Sequence, residues 1–377
     1  MTRAHMAMLA AESKKLEQAG LYRPETIHPA HIVDFTSQDY LALAGDQRIH
    51  AAARAALDER DALAGGGTVG TRSPHHPKLE QALARFLGVA DALVFGSGYL
   101  ANLGLFEALF DSRDCLFCDA LVHPSVAEGV RLSSATAFPF HNNDVEDLED
   151  KLKRSRTARF RAVVTDGVFP FDGRVAALEA ICTLAERYEA LVIVDDALGI
   201  GVLGATGRGT RELRGVMPRV DIVTGTFAKA LGAPAGGFVA GKREVIEWLR
   251  QKATPYLFST PLAAAPAAAA TAAIEILERG EPPLAQLHAR TRSIKEALEA
   301  LDYRVLGGEH PSLAIVIGNV VPLQRMVNAL YERRVHVTGV CYPVVPEGEA
   351  RIRLETSLRL SDADVTLAVR AFEQVRK

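Results

Sequence analysis

A chain of 377 residues, 48% hydrophobic and 24% charged, is long enough to bury two cores and has the balance of an ordinary globular protein. Its formal net charge is −3, with neither a basic face nor an acidic run, so nucleic acid and anionic membranes find no electrostatic hold on it. The longest apolar stretch, residues 261–274, contains Pro266 and is shorter than the ~20 residues a membrane span requires, so a cytoplasmic protein is expected.

The first residues run into Glu12, Lys14 and Lys15, too soon for a secretory signal, and read as an amphipathic helix. From Ala92 onward, short apolar strands alternate with helical stretches: residues 92–95, 115–118, 135–138, 162–165, 191–194, 222–224 and 237–240. That alternation predicts a mainly parallel seven-stranded sheet with helices on both faces, an α/β fold. Between the fourth and fifth strands Leu178, Ile181, Leu184, Ala185 and Tyr188 recur at helical spacing and form one apolar stripe. Gly280-Glu-Pro-Pro283 breaks a long helical region. Beyond it come a helix near 287–301, a strand at 312–317, a helix over 322–334, a strand at 351–354 and a last helix capped by Ser361 with Asp364 three residues on. The division expected is an N-terminal helix and arm over 1–47 that packs with the small domain, a large domain over 48–282 and a small α+β domain over 283–377.

Several sequence features carry chemistry. Phe95-Gly-Ser-Gly-Tyr99 follows a strand and opens a helix, so the amides around Ser97 and Gly98 could receive a phosphate, with Tyr99 near a ring. Cys115-Leu-Phe-Cys118 spells C-x-x-C, but it lies inside a strand and has no second pair, so it reads as structural. His123 comes just past that strand, where an imidazole could stack on a planar cofactor. Leu191-Val-Ile-Val-Asp-Asp196 ends a buried strand in two carboxylates, at the sheet edge where ligands bind in open α/β folds. Asp195 there could keep a pyridinium nitrogen protonated, or could bind magnesium or a ribose. Gly199-Ile-Gly-Val-Leu-Gly204 matches G-x-G-x-x-G, yet it does not join strand directly to helix, which argues against a dinucleotide site. In Thr224-Gly-Thr-Phe-Ala-Lys229 a lysine sits among small residues, a place where a desolvated amine loses its charge readily.

These residues resemble the α-oxoamine synthases among the fold-type I pyridoxal-phosphate enzymes, over essentially the whole chain. The resemblance implies a Schiff base between pyridoxal phosphate and Lys229, with Asp195 on the ring nitrogen and His123 stacked on the ring. It implies a cofactor cradle of Ser97, Gly98, Tyr99 and Thr226. Ser259 and Thr260, in Pro255-Tyr-Leu-Phe-Ser-Thr260, would reach the neighbouring subunit's cofactor, which means a homodimer with shared sites. Arg353 in Ala350-Arg-Ile-Arg353 would clamp the substrate carboxylate, with Gln38 also near the substrate. The implied reaction joins a small amino acid (glycine, alanine or serine) to an acyl-CoA with loss of carbon dioxide; no metal is called for.

The chain departs from that pattern at Leu198 and Pro170, where a histidine and a serine are usual, in the later part of the Gly65–His76 loop, and at Leu360, where a histidine is usual. Leu198 and Pro170 remove two polar contacts from one edge of the ring, which predicts a higher pKa for the cofactor's Schiff base. An aminotransferase or lyase on the same fold, and a non-catalytic partner subunit, are the alternative readings.

Overall fold

In the computed structural model residues 3–18, 29, 31–59, 72–155 and 158–376 are described. Seven strands form the large sheet: β1 (Asp91–Phe95), β2 (Cys115–Asp119), β3 (Thr136–Phe140), β4 (Arg161–Asp166), β5 (Leu191–Asp195), β6 (Ile222–Thr226) and β7 (Gly237–Gly241). Each of the seven predicted strands is present. Their order across the sheet is β1-β7-β6-β5-β4-β2-β3, and the pairing is parallel except along β7, which is antiparallel to both neighbours. β7 can reverse because residues 227–236 join it to β6 without a helix, whereas a parallel neighbour needs a longer crossover.

Strand alternation divides the large core in two. Val94, Phe117, Val163, Val192, Val194 and Val223 pack on one face, and Leu93, Leu116, Cys118, Val164, Ile193 and Ile222 pack on the other. Both faces are covered, so these strands read as continuous apolar runs rather than alternating ones. The helix Leu178–Arg187 lays the predicted stripe on the first face, with Leu178, Ile181, Leu184 and Ala185 buried. Cys115 and Cys118 belong to the opposite faces of β2, so the two thiols cannot converge on a metal or on each other.

A second sheet follows residues 280–283. Its strands are β8 (Val305–Gly307), β9 (Ser312–Gly318), β10 (Thr338–Val340) and β11 (Ala350–Glu355), antiparallel in the order β10-β11-β9-β8. The helices Leu284–Ala300, Val320–Glu332 and Asp362–Val375 surround it, each beginning within two or three residues of its predicted start. Ser361 and Asp364 form the predicted capping box. Val33–Asp34 pairs with Val335–His336, and Phe35 is buried in the same core, so residues 33–35 pack with this unit. The helix Arg3–Gln18 is exposed along its described side chains. Most of the departing Gly65 loop, residues 60–71, lies outside the described residues.

Candidate active site

The parallel register places the site. Asp166, the last residue of β4, pairs with Asp195, the last residue of β5, and Asp195 pairs with Thr224 of β6. Paired residues in neighbouring strands sit about 5 Å apart, so two carboxylates and the start of the Lys229 turn share one edge of the sheet. A cavity of about 250 Å³ lies there, lined by Ser97, Gly98, Tyr99, Asn102, His123, Ser125, Asp166, Val168, Pro170, Asp195, Ala197, Leu198, Gly225, Thr226 and Lys229.

Each polar group has a definite role. Ser97 caps helix α1 (Gly98–Leu109), its hydroxyl accepting from the Leu100 amide at 3.2 Å. One turn into α1, the Asn102 amide donates to Asp195 Oδ2 at 2.7 Å and to Ser125 Oγ at 2.9 Å. Ser125, in helix α2 (Pro124–Leu132), presents its hydroxyl to His123 Nδ1 at 2.7 Å, and its backbone amide also donates to that nitrogen. Nδ1 is therefore an acceptor, which leaves the proton of a neutral ring on Nε2. Burial pushes His123 below its ordinary value, favouring that neutral ring. The other Asp195 oxygen, Oδ1, accepts from the Ala197 amide at 3.0 Å.

Asp166 accepts from the His123 amide at 2.9 Å through Oδ2, while Oδ1 has no partner among the described residues. Burial, reinforced by the neighbouring charge of Asp195, pushes its carboxyl well above the usual carboxylate range. Lys229 sits in the turn between β6 and β7 and not at a helix start. Burial lowers its amine pKa, against the opposing pull of Asp195. This is the condition a nucleophilic lysine needs.

The cradle is built from close backbone contacts. A Cβ on Gly237 would lie 2.2 Å from the Gly98 amide nitrogen, and one on Gly225 2.5 Å from the Phe238 ring. The α1 N-terminus therefore rests directly on β6 and β7, where its dipole favours a phosphate. A cavity of this size with a helix N-terminus, an unpartnered buried carboxyl oxygen and a desolvated lysine fits a phosphorylated, ring-shaped cofactor with an aldehyde.

Not every predicted residue is at the cavity. Tyr99 lines it yet is 45% exposed. Ser259 and Thr260 are exposed and outside it, although the Thr260 carbonyl comes near the Gly96 backbone. Gln38 hydrogen-bonds Tyr40 instead. Arg353 borders a neighbouring cleft of about 1180 Å³, whose wall includes Leu121, Val122 and Val344. The Leu121–His123 loop thus separates the cleft from the cavity. Leu198 and Pro170 form an apolar part of the cavity wall, whereas Leu360 is buried in the small unit's core.

Asn102 and Asp166 fall inside the recognisable segments 95–104 and 165–169 without a role of their own there, and Ser125 and His310 lie outside any such segment. For Asn102 and Ser125 the available signals were one helical turn from Gly98 and two residues from His123. Asp166 lay at a strand end like Asp195. His310 gave no local signal. Its Nδ1 accepts from the Ser312 amide at 3.1 Å and its Nε2 donates to the Leu198 carbonyl at 2.9 Å, and burial lowers its pKa to about 3.

The glycine motif has a packing explanation. A Cβ on Gly199 would fall 2.2 Å from the carboxylate of Asp196, which is fully buried and raised to about 6 by burial, one on Gly201 2.6 Å from Ala230 Cβ, and one on Gly204 2.2 Å from the Glu212 carboxylate. Only the four-residue helix Thr210–Leu213 follows, where none was expected.

The model of the aminotransferase class I and II family matches residues 30–372. The chain is 41% identical over 355 residues to 2-amino-3-ketobutyrate coenzyme A ligase of Escherichia coli, covering 92% of this chain and 88% of the relative. The chain belongs to that family and, within it, to the α-oxoamine synthases. A putative 8-amino-7-oxononanoate synthase of Bacillus licheniformis is 39% identical over 363 residues, covering 94% of each. Among solved structures, serine palmitoyltransferase of S. paucimobilis with a bound PLP–myriocin adduct superposes with a TM-score of 0.91 at 26% identity, over 99% of this chain and 97% of that one. As an α-oxoamine synthase this protein is an acyltransferase, and its cofactor is pyridoxal phosphate.

Proposed function

We propose that this enzyme transfers a short acyl group from an acyl-CoA to the Cα of glycine or another small amino acid, releasing CoA, with the carboxylate then lost as carbon dioxide. The observation that carries the small-substrate reading is the cavity. At about 250 Å³ it lies below the ~300–1,000 Å³ of most ligand sites, so a cofactor leaves little room for a side chain. The larger cleft beside it suits the acyl donor. When bound, pyridoxal phosphate supplies a carbonyl for the substrate amine and an electron-withdrawing ring. Ser97, Gly98 and Thr226 would hold its phosphate, and Asp195, fixed by Asn102 and the Ala197 amide, would hold a proton on its ring nitrogen.

Lys229 takes the Cα proton, a role its lowered pKa suits. His123, with its proton on Nε2, covers the ring and can donate to a developing oxyanion. Arg353 orients the carboxylate.

The enzyme works in the cytoplasm as a homodimer in which Ser259 and Thr260 complete the partner's cofactor site. In support, both are exposed and outside their own cavity, beside Phe258 at 74% exposure. Thiol and carbon dioxide release, measured with glycine and acyl-CoAs of rising chain length, tests the proposal. CoA release that is fastest with two- to four-carbon chains is expected. No thiol with any donor would sink it, and thiol without carbon dioxide would mean that the carboxylate is retained, as the name 2-amino-3-ketobutyrate indicates for the relative.

A further inference from the structure

The arginine assigned to the substrate carboxylate already holds a carboxylate of its own. Arg353 and Glu355 are two residues apart on β11, so their side chains leave the same face. Arg353 Nη2 lies 2.5 Å from Glu355 Oε1, and Glu355 is only 2% exposed. The contact is close but poorly aligned, since neither atom completes a hydrogen bond among the described residues. The Tyr40 hydroxyl, itself fully buried, donates to Glu355 Oε2 at 3.0 Å, and Gln38 hydrogen-bonds that hydroxyl in turn. Ser312, paired with Glu355 in register on β9, accepts from Arg353 Nε at 3.4 Å.

The charges therefore balance before any substrate arrives. A substrate carboxylate brought to Arg353 would put two anions on one guanidinium, one of them the buried Glu355, where like charges disfavour joint ionisation. We propose that Glu355 is the resident counter-ion of Arg353, and that a carboxylate binding at Arg353 takes up one proton from solvent onto Glu355. The new O–H on Oε1 then faces the guanidinium site and donates to the arriving carboxylate, while Oε2 keeps its bond from Tyr40. The proposal rests on the reading of Arg353 as the carboxylate clamp.

Burial favours the protonated form, against the neighbouring groups. It raises Glu355 above the usual carboxylate range, opposed by Arg353 on its own strand, by hydrogen bonds from Tyr40 and Ser312, and by the Lys229 amine from the β6–β7 turn. Tyr40 packs edge-on against His310, which its low pKa keeps neutral. A raised pKa means that the proton is held at lower pH and lost as pH rises, so carboxylate affinity should fall toward alkaline pH.

Propionate, a carboxylate without an amine, is the probe, titrated calorimetrically into holoenzyme in buffers of different ionisation enthalpy, with the visible absorption band followed in parallel. Close to one proton taken up per propionate at pH 8 is expected, without an equivalent change in the band, and with Kd rising up to 10-fold per pH unit. Glu355→Gln should abolish the uptake, flatten the pH dependence between pH 6 and 9, and tighten binding at pH 8 by 10-fold or more. Absence of proton uptake in the wild-type enzyme overturns the proposal without any variant. So does uptake that persists in Glu355→Gln together with a matching band change, because the proton then sits on the cofactor. Arg353→Gln separates the two readings: unchanged propionate affinity there refutes the clamp itself, whereas weakened affinity with no tightening in Glu355→Gln refutes only the counter-ion.

Discussion

The two sides of the cavity are built on opposite principles. Around Asp195 the carboxylate is wired: Asn102 ties α1 to β5, Ser125 continues the chain of hydrogen bonds, and His123 ends it with a defined tautomer. Around Leu198 and Pro170 the wall is apolar, and the Leu198 carbonyl is held from behind by His310. A wired wall fixes a charge at one place with little reorganisation. An apolar wall leaves the electronics of whatever it touches to the ligand's own internal bonds.

Three experiments probe that contrast, in descending order of effect. Asp195→Asn should lower kcat by about 100- to 1,000-fold, because a neutral amide cannot hold a proton on the ring nitrogen; general acid–base groups contribute about that range. Steady-state kinetics on cofactor-saturated enzyme checks it, and a loss of less than 10-fold would mean the wired wall is ornamental. Asn102→Ala removes one charge-assisted bond and leaves Asp195 its Ala197 contact, so a loss of roughly 1–2 kcal/mol, or about 10-fold in kcat, is expected with little change in acyl-CoA KM. Leu198→His should act mainly on spectra. The pH at which the cofactor's visible band titrates should drop by about one unit as the apolar wall gains a donor. An unchanged titration would show that the apolar wall has no electronic consequence.

Much of this was legible in the chain. Seven short apolar runs predicted seven strands, because strands covered on both faces need no alternation, and Asp195 and Lys229 were readable because each closes such a run with a residue that burial disfavours. The network between them was not. Asn102 and Ser125 have unremarkable sequence neighbourhoods, and only the packing of α1 against α2 makes them partners. Asp166 became significant through register, since its neighbour across the ladder is Asp195. Glu355 was hidden for a similar reason: next to Arg353 in a strand it resembles a surface ion pair until burial and Tyr40 show otherwise. Long-range pairings of this kind depend on chain geometry and leave no local periodicity.

His310 has one further consequence. It belongs to the segment between β8 and β9, and its Nε2 grips the carbonyl of Leu198 behind the cavity of the large sheet. The joint is one of several directional bonds between the two cores, beside His288 to the Val202 carbonyl and Arg214 to Glu309. Any rocking of one core on the other must either carry Leu198 along or stretch that bond, so the cavity wall works as a strain gauge for the posture of the small unit.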